Sequence, residues 1–591
     1  MGVFHFWGPS VTLARLKATT NLAEVAKLLG FTPKGLSFVL YTMPKNALYS
    51  TFDIPKKDGG TRTISAPTPQ LKLLQKRLAQ VLSLCVGEIE HAHPVRKVVS
   101  HGFQEGRSIV TNAANHRRRR YVLNLDIADF FGTINFGRVR GYFISDASFK
   151  LDPAVATILA QIACHKNSLP QGSPSSPIVS NLIGAILDRR LISLAKENKC
   201  TYTRYADDLT FSSRLLKFPR ALAYPSASKP NSWRLGKKLR EEIKHAGFKI
   251  NKKKTRMQIA GSRQMATGLV VNEKVNVTQE YYRDTRSMCH SLFRTGKYHR
   301  PGSVDMIDDL VPLQARLAHV YYVRTRRDRA DPINKEARVL QTSQPYPLYL
   351  RFLLYKHCVA NTQPTLVAEG RSDITYLSTA IKALAPEFPA LATVKAGKTL
   401  PTVQFLRHSE MNRRILNLTN GTGGIASFIN VYKHQMKPHA HWPMSQPVII
   451  VVDNDAGADV VFTAAKKAFH VSIDFKTPDP FFHLGSNLYL VKTPVGNSAK
   501  GDSSIEHLFP PAVLAHKIDG KPFDPDKLHG DATAYGKVVF ADKVVRPAVA
   551  KIDFSAFKPL LAGIKGAIKD YAAKHAATGA APGKAVEAVG A

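Results

Sequence analysis

The chain has 591 residues and a formal net charge of +39, from 83 lysines and arginines against 44 acidic residues. So large a basic excess indicates a polyanionic partner, because lysine and arginine displace the counterions that surround phosphate groups. No apolar run approaches the roughly 18 residues of a membrane-spanning helix, and no basic-then-apolar signal pattern opens the chain. The five cysteines have no metal-type spacing. We therefore expect a cytoplasmic protein of two to four domains that binds nucleic acid and not a membrane.

Apolar residues recur at helical spacing near the start of the chain, and a hairpin pattern follows. In Asn21–Leu29, Asn21 is a suitable N-cap and Glu24 its capping-box partner. Two strand-like runs, Tyr49–Pro55 and Thr61–Ser65, flank the turn sequence Asp-Gly-Gly. These patterns predict an N-terminal helix followed by a β-hairpin.

A second hairpin pattern carries two adjacent acids, in Tyr205-Ala206-Asp207-Asp208. The acids repel each other, so such a turn is stable mainly when a divalent cation neutralises them. A third acid, Asp126, follows the strand-like run that begins at Tyr121. Three carboxylates and two Mg²⁺ ions are the minimal apparatus for in-line phosphoryl transfer. The tetrapeptide alone is equally compatible with a solvated Asp-Asp turn.

The pattern changes in the C-terminal part of the chain. Arg283–Lys356 is basic and helical in spacing, and a domain boundary is predicted within residues 345–363. Beyond it the pattern is that of alternating strands and helices. Leu366–Ala368 and Val448–Val452 are short, fully apolar runs, typical of buried parallel strands. The segment from Ala572 onward is rich in Ala and Gly, which predicts a frayed helix or a disordered tail.

Acidic residues follow both of these apolar strands. Glu369 comes directly after the first, and Asp453 and Asp455 come after the second. Alternate residues of an extended segment share a face, so both aspartates can point toward one ion. The carboxyl ends of parallel strands are the usual location of α/β sites. This end of the sheet is therefore the predicted location of a second metal site.

Five segments, in this order, resemble the successive motifs of reverse transcriptases. They are Ile54–Pro67, Leu125–Phe131, Leu169–Pro177, Tyr205–Asp208 and Gly247–Thr255. The resemblance implies an α+β right-hand polymerase, with fingers and palm over residues 1–280 and a basic helical thumb over residues 281–350. It also implies RNA-directed DNA polymerase activity, a nucleotidyltransferase reaction that consumes dNTPs.

The same resemblance assigns catalytic parts to individual residues. Asp126, Asp207 and Asp208 would hold the Mg²⁺ ions that activate the primer hydroxyl and neutralise the leaving pyrophosphate. Lys254 would give the pyrophosphate a proton, with Lys253 as the alternative.

Five further positions resemble nucleotide-binding residues. Lys56 and Arg62 would hold the triphosphate, although either could be an ordinary exposed charge. Phe131 resembles the aromatic gate that excludes a 2′-hydroxyl by clash, and the alternative is a core phenylalanine. Gln171 and Gly172 would lie under the nascent base pair, where a small residue lets the template approach.

Two further segments resemble signatures of retron reverse transcriptases. Asn112–His116 resembles the Asn-Ala-x-x-His signature, and Thr267-Gly268 resembles a Val-Thr-Gly signature in which Ala266 replaces the valine. The implied partner is a structured noncoding RNA, used as template and as primer through an internal 2′-hydroxyl. The product would be a branched RNA–DNA, msDNA. The residues assigned to RNA binding are Asn112, His116, Thr267 and Gly268, and the thumb would grip an RNA stem by its phosphates.

The C-terminal acidic segments resemble a Toprim domain, an α/β domain with a small parallel sheet, expected over residues 360–550. Glu369, Asp453 and Asp455 would bind Mg²⁺, with Mn²⁺ as an alternative ion. Asp373 and Glu506 resemble the additional metal-binding acids of overcoming-lysogenization-defect nucleases, and Lys537 resembles their lysine at the scissile phosphate. Residues 551–591 would form a helical or disordered tail.

The fusion predicts a retron reverse transcriptase joined to a nuclease effector in anti-phage defence. The expected partners are the noncoding RNA, its msDNA, dNTPs and a nucleic-acid target, with assembly of several copies around the msDNA. One alternative makes the C-terminal domain a non-cleaving nucleic-acid clamp that organises a ribonucleoprotein. Another, an intron-encoded maturase, is disfavoured because no zinc-type cysteine cluster follows the thumb.

Overall fold

The computed structural model describes residues 12–56, 59–93, 98–227, 232–326, 345–418, 421–436, 444–495, 502–527, 531 and 533–577. The chain divides into two compact units. The first unit contains Met1–Gln279 with Tyr322–Asn334, and the second contains Glu280–Tyr321 with Lys335–Ala591. Part of the segment expected to form a thumb therefore belongs to the second unit.

Helices and one four-stranded sheet make up most of the first unit. The helices are α1 (Thr12–Ala18), α2 (Leu22–Leu29), α3 (Pro33–Ser37), α4 (Pro69–Ala92), α5 (Ile109–Ala114), α6 (Phe136–Ser145), α7 (Pro153–Ala163), α8 (Ser176–Glu197) and α9 (Lys237–His245). The strands are β1 (Tyr49–Pro55), β2 (Thr61–Pro67), β3 (Tyr121–Asp126), β4 (Thr201–Tyr205), β5 (Asp208–Ser213), β6 (Ala223–Pro225), β7 (Trp233–Leu235), β8 (Arg256–Ile259), β9 (Met265–Ala266) and β10 (Leu269–Val270). The four-stranded sheet has the order β4-β5-β3-β8, and its neighbouring strands are antiparallel.

Local sequence signals set several of these boundaries. Asn21 caps α2 by accepting a hydrogen bond from the Glu24 N–H at 3.0 Å, and Gly30 ends the helix in the left-handed conformation. The hairpin β1–β2 pairs Tyr49 with Pro67, so the second strand runs two residues beyond the predicted Ser65. The N-cap and hairpin predictions are confirmed. Glu24 is not the expected capping-box partner of Asn21, because its carboxylate accepts from the Thr20 N–H at 2.7 Å. The core of this unit packs the sheet against the helices, chiefly through the apolar faces of α4, α7 and α8.

The second unit is built around a five-stranded sheet. Its helices are α10 (Gln279–Thr295), α11 (Leu310–Arg326), α12 (Pro345–Leu354), α13 (Arg371–Ala383), α14 (Glu410–Ile415), α15 (Thr422–Met436), α16 (Asp459–Phe469), α17 (Pro511–Leu514), α18 (Lys537–Val539) and α19 (Lys558–Ala577), of which α10 begins and α11 ends in residues of the first unit. Its strands are β11 (Tyr298–His299), β12 (Met306–Ile307), β13 (Thr365–Ala368), β14 (Ala392–Lys395), β15 (Lys398–Pro401), β16 (Gln404–Phe405), β17 (Val448–Val452), β18 (Phe482–Gly485) and β19 (Leu488–Lys492). The sheet order is β16-β13-β17-β19-β18, with the antiparallel strand β18 at one edge.

Both faces of this sheet are buried, as its fully apolar strands predict. Val448, Ile450 and Val452 pack into one hydrophobic cluster, while Ile449 and Val451 pack into another on the opposite face. The first cluster also holds apolar residues of α10, α11 and α12, and the second holds those of α13 and α19. The acids that follow β13 and β17 therefore start from rigid, doubly covered strands. Among the described residues, none of the helices is long and apolar enough to cross a membrane.

Two candidate carboxylate sites

The four-stranded sheet brings three acids to one end. Ala206, with φ of 54°, and Asp207 form the tight turn between β4 and β5. Asp208 is the register partner of Asp126 on β3, and the Ile127 N–H donates to the Asp207 carbonyl at 3.0 Å. Asp126, Asp207 and Asp208, here called the turn cluster, are thus held together by strand pairing.

Asp126 contacts two polar side chains of the segment Gly247–Thr255. Asn251 Nδ2 donates to Asp126 Oδ1 at 2.9 Å, and Lys254 Nζ lies 3.1 Å from Oδ2. Asp126 is 7% exposed, whereas the Lys254 side chain is 49% exposed, so the buried carboxylate pairs with a cation that reaches it from the solvent side. Of the two lysines considered for proton donation, Lys254 contacts the turn cluster, while the Lys253 N–H bonds the Asn251 side chain.

Burial and mutual repulsion disfavour charge on the two turn acids. Asp208 lies at the exposed end of β5, and the partial burial of its carboxylate, followed by the charges of Asp207 and Asp126, raises its pKa to about 7. Burial and Asp126 also raise the pKa of Asp207, opposed by its backbone hydrogen bond and the charges of Lys254 and Arg62. A divalent cation would relieve this repulsion, so the residues present fit Mg²⁺.

A buried ion pair supports the turn from behind. The Arg204 side chain is fully buried and contacts the Asp188 carboxylate at 2.9 Å. Its Nη1 also donates to the Ala206 carbonyl and to Asn181 Oδ1, each at 3.2 Å. Sequence reasoning missed this network, because its members lie on α8 and β4 and share no motif.

A second support comes from the segment before α5. The His101 N–H donates to the Arg204 carbonyl at 2.7 Å, and Asn181 Nδ2 donates to the Gly102 carbonyl at 2.8 Å. A Cβ at Gly102 would lie 2.6 Å from the Ala206 backbone nitrogen, so only glycine fits against the turn. The sequence Ser-His-Gly-Phe carries a weak signal of this role, a glycine between strand-like residues.

The predicted nucleotide-binding glycine lies against the β1–β2 hairpin. The Ser65 N–H donates to the Gln171 carbonyl at 2.8 Å. Gly172 has φ of 118°, and a Cβ there would lie 2.8 Å from the Ser65 carbonyl oxygen. Both backbone conformation and space therefore require glycine at this position.

Lys56, Arg62 and Phe131 occupy different surroundings. Lys56 is exposed at the end of the hairpin, whereas Arg62 is close enough to Asp207 for its charge to lower the pKa of that acid. Phe131 is half-buried, with its ring 5.5 Å from that of Phe130 and 6.4 Å from that of Phe103. A nucleotide role for these three residues stays a prediction.

The two signature segments contact each other. Asn112 Nδ2 donates to Thr267 Oγ1 at 3.4 Å, and Thr267 Oγ1 donates to the Ile109 carbonyl at 3.2 Å. Thr267 and Gly268 form the turn of the β9–β10 hairpin, both with positive φ. Asn112 is 1% exposed, so the expectation that it contacts RNA directly needs correction. RNA contact by Thr267 and Gly268 stays a prediction.

The expectation that His116 contacts RNA directly needs correction. Its ring is fully buried and lies 2.7 Å from both Ser212 Oγ and Thr203 Oγ1, which occupy its two nitrogens. Burial, Arg119 and His101 lower its pKa to about 3, so the ring stays neutral. His116 joins β4 to β5 and leaves no surface for RNA.

The second unit brings acids together at the carboxyl ends of β13 and β17. The Asp453 N–H donates to Glu369 Oε1 at 3.2 Å, and the Ile505 N–H donates to Asp453 Oδ1 at 2.8 Å. Glu506, in the next turn, is 4% exposed. Lys537 Nζ lies 3.1 Å from each of its carboxylate oxygens. We call Glu369, Asp373, Asp453, Asp455 and Glu506 the strand-end cluster.

Two acids of this cluster also cap local structure. Asp373 Oδ2 accepts from the Gly370 N–H at 2.8 Å, and Asp455 Oδ1 accepts from the Gly457 N–H at 2.9 Å. The second oxygen of Asp373, Oδ1, accepts from Ser372 Oγ at 3.1 Å. The charges of Asp373 and Asp455 still act on Glu369, whose pKa both acids raise.

Burial and repulsion are strongest at Asp453 and Glu369. Burial, then Asp373, Glu369 and Glu506, raise the pKa of Asp453 to about 8. Burial raises the pKa of Glu369 to about 7, against the hydrogen bond from the Asp453 backbone. Burial lowers the pKa of Lys537, but the Glu506 carboxylate together with the charges of Asp453 and Asp373 outweighs burial, and the net pKa is raised.

Acidic repulsion of this kind fits a divalent cation at either cluster. Within the described ranges, however, no three His, Cys, Asp or Glu side chains are arranged to hold a metal ion as they stand. Metal binding at both clusters therefore stays a prediction.

Comparison with known proteins bears on the first unit. Residues 54–282 match the family model for reverse transcriptase (RNA-dependent DNA polymerase). The retron Mx65 reverse transcriptase of Myxococcus xanthus is 36% identical over 50% of this chain and 70% of its own. The retron Mx162 enzyme of the same organism is 33% identical over 54% and 67% of the two chains. The retron Ec86 reverse transcriptase of Escherichia coli is 33% identical over 47% and 80%.

Proposed function

The chain belongs to the retron reverse transcriptases, RNA-directed DNA polymerases that work with a noncoding RNA, and on that premise we propose that the turn cluster makes msDNA. The observation that carries the proposal is the pairing of Asp126 with Asp208 beside Asp207. These three carboxylates would hold Mg²⁺, which supplies charge neutralisation in phosphoryl transfer.

The residues around the turn cluster would then have distinct roles in nucleotide addition. Lys254, 3.1 Å from Asp126, would donate a proton to the departing pyrophosphate. Arg62 and Lys56 would bind the triphosphate, and Phe131 would exclude the ribose 2′-hydroxyl by clash. Gly172 and Gln171 would lie under the new base pair, where the close contact of Gly172 with the hairpin leaves no room for a larger residue.

Sequencing the nucleic acid that co-purifies with the protein tests the msDNA proposal. We expect a short DNA joined to an RNA through a 2′-linkage. Asp207→Asn should abolish it while Asp53→Asn, on the exposed face of β1, leaves it intact. Recovery of unbranched RNA alone from the wild type would contradict the proposal.

We further propose that the second unit is a Toprim-type, metal-dependent nuclease. The support is the convergence of Glu369 and Asp453 from adjacent parallel strands, with Glu506 and Lys537 beside them. Glu369, Asp453, Asp455, Asp373 and Glu506 would hold Mg²⁺ or Mn²⁺, which supplies an activated water for hydrolysis. Lys537 would stabilise charge on the scissile phosphate.

Matched variants in the two clusters separate the activities. Glu369→Gln and Asp453→Asn should abolish Mg²⁺-dependent cleavage of DNA or RNA and leave dNTP incorporation intact. Asp126→Asn should do the reverse. Cleavage that persists in both second-unit variants would point to a contaminating nuclease and contradict the assignment.

A non-cleaving clamp remains the second candidate, because Asp373 and Asp455 already serve as caps and Glu506 is already paired with Lys537. Wild-type protein that binds nucleic acid through the second unit without cutting it would favour the clamp.

We also propose that the fusion serves anti-phage defence, with the RNA–DNA product restraining the nuclease until infection disturbs it and several copies assembling around it. Cells that carry Asp453→Ala with Asp455→Ala should lose phage resistance. Resistance equal to that of the wild type would contradict the defence role.

A further inference from the structure

A basic cavity lies at the end of β3 opposite to the turn cluster. It has a volume of about 740 Å³. Its lining consists of Arg118, Arg119, Arg120, Tyr121, Arg214, Ile259, Ala260, Gly261, Gln264, Asn272 and Glu273. Tyr121 begins the strand that Asp126 ends, so at about 3.3 Å per residue the cavity is roughly 17 Å from the turn cluster. It is therefore separate from the site of nucleotide addition.

Charge in this cavity is strongly one-sided, with four arginines against the single acid Glu273. Arg118 pairs with Glu273 at 3.2 Å, but both side chains are mostly exposed, at 65% and 78%. Burial and the charge of Arg214 lower the pKa of Arg119. The arginines thus repel one another, and an anion between them would relieve the repulsion.

Several guanidinium N–H groups of this cavity have no hydrogen-bond acceptor among the described residues. Arg119 Nη2 donates to the Asn115 carbonyl at 3.3 Å, but its buried Nε has no hydrogen-bond partner among the described residues. Arg120 and Arg214 are exposed, and their side chains bond to nothing in the part of the chain that the structure describes. Buried or clustered donors of this kind are costly unless a ligand accepts from them.

We infer that this cavity, the arginine pocket, binds the sugar–phosphate backbone of folded RNA. Guanidinium groups match phosphate oxygens in paired hydrogen bonds, and the cavity has room for more than one phosphate group. RNA helices are held mainly through backbone contacts of this type. The noncoding RNA of the family is a polyanion long enough to reach both the pocket and the distant turn cluster. The inference rests on the family membership and not on the proposed nuclease.

Salt-dependent binding of a fluorescent RNA hairpin to the full-length protein tests the inference. The main variant is Arg120→Gln with Arg214→Gln, because neither side chain supports the fold. The matched control is Arg240→Gln with Lys244→Gln, which removes the same charge from the exposed face of α9. Circular dichroism and the melting temperature check folding, and dNTP incorporation on a short primed template checks the turn cluster.

Loss of two phosphate contacts should lower the slope of log affinity against log salt by about two, and weaken binding roughly 10- to 50-fold near 0.1 M salt. The control should keep the wild-type slope, and incorporation should be unchanged. Equal losses in both variants would mean a bulk charge effect and overturn the pocket. A DNA duplex of the same sequence that loses more affinity than the RNA would overturn the choice of RNA. If the main variant loses dNTP incorporation but keeps its RNA affinity, the arginines act on the turn cluster and the pocket is overturned.

Glu273 gives a test of opposite sign. Glu273→Gln removes the acid that competes for Arg118, so RNA binding should strengthen severalfold at low salt. Glu241→Gln, on α9, is the matched control and should have little effect. An unchanged or weaker affinity in Glu273→Gln would contradict the pocket.

Discussion

The turn cluster and the strand-end cluster balance buried negative charge in different ways. In the turn cluster a lysine contacts Asp126, which lies directly opposite Asp208. In the strand-end cluster Lys537 contacts the outlying Glu506, and the pKa of Asp453 rises to about 8. Each cluster thus holds one lysine as counter-charge, but Lys254 contacts an acid of the central pair, whereas Lys537 contacts Glu506 and leaves Asp453 with a higher pKa. The strand-end cluster is therefore expected to depend more on an added cation.

The clusters also differ in how their backbones are held. The strand-end acids follow doubly covered parallel strands. The turn acids sit on a hairpin tip that depends on the buried Arg204–Asp188 pair and on Gly102. Substitutions of the residues that support the turn should therefore reduce DNA synthesis strongly. Substitutions in the strands that carry the strand-end cluster should reduce cleavage far less.

Arg204→Met should have the largest effect. It leaves the Asp188 carboxylate buried without its partner, which costs about 3–5 kcal/mol of unfolding free energy, and it removes the donor to the Ala206 carbonyl. We expect a large loss of denaturation midpoint and of polymerase activity, measured by urea unfolding and dNTP incorporation.

The double variant Arg204→Met with Asp188→Leu separates the two causes. Removing both charges should restore part of the stability, since buried pairs are often replaceable by apolar residues, but the buried Tyr202 hydroxyl loses the Asp188 acceptor that it contacts at 2.8 Å. Activity should stay low, because Ala206 still lacks its donor. Full recovery of activity would show that Arg204 acts through stability alone.

Lys254→Gln comes next. If Lys254 is the proton donor, its removal should reduce incorporation by about 100-fold or more at saturating dNTP. Lys253→Gln is the matched control on the next residue and should lose less than about threefold. Equal losses in the two variants would contradict the assignment.

Gly102→Ala should have a moderate effect. The new Cβ, 2.6 Å from the Ala206 nitrogen, must displace the turn. We expect kcat to fall about tenfold while KM for dNTP changes little, because the displaced turn moves the catalytic carboxylates and not the residues expected to bind the dNTP. Gly141→Ala is the control, because a Cβ at this helical position would contact nothing within 4 Å, and it should keep full activity. An equal loss of activity in Gly141→Ala would contradict the role of Gly102.

Local signals in the sequence predicted the framework of both clusters. The acids of Tyr205–Asp208 lie on a hairpin turn, and Val448–Val452 is a buried parallel strand with the predicted bounds. Hydrophobic periodicity and turn chemistry suffice for such features because they depend on neighbouring residues.

Contacts between residues that are distant in sequence could not be predicted from periodicity and turn chemistry. The burial of Arg204 could not be predicted from its neighbours in sequence, because its partner Asp188 lies on the preceding helix α8. His116 read as an RNA ligand, whereas its ring joins two strands of the sheet. Likewise, nothing in the basic run at Arg117–Arg120 indicated that Arg214 would lie beside it. Each of these depends on how distant elements pack, which composition and periodicity do not encode.

The smallest expected effect is a pH-dependent change in stability. Folding raises the pKa of Asp453 from 3.8 to about 8, so folding favours the protonated acid. Its stabilising contribution is therefore complete below about pH 4 and is lost as the pH rises through 8. Asp453→Asn stays neutral, so without divalent ions its melting temperature should exceed that of the wild type by roughly 3 °C or more at pH 8.5, and by little at pH 5.

Asp208→Asn is the matched variant in the turn cluster. The pKa of Asp208 rises only to about 7, so its gain at pH 8.5 should be smaller. Hydrogen exchange at Val448–Val452 and at Leu209–Ser213 assigns each change to its own unit. Added Mg²⁺ should stabilise the wild-type second unit at pH 8.5 and leave Asp453→Asn unchanged. A gain in Asp453→Asn that is the same at both pH values would mean that charge on this acid does not limit the stability of the strand-end cluster.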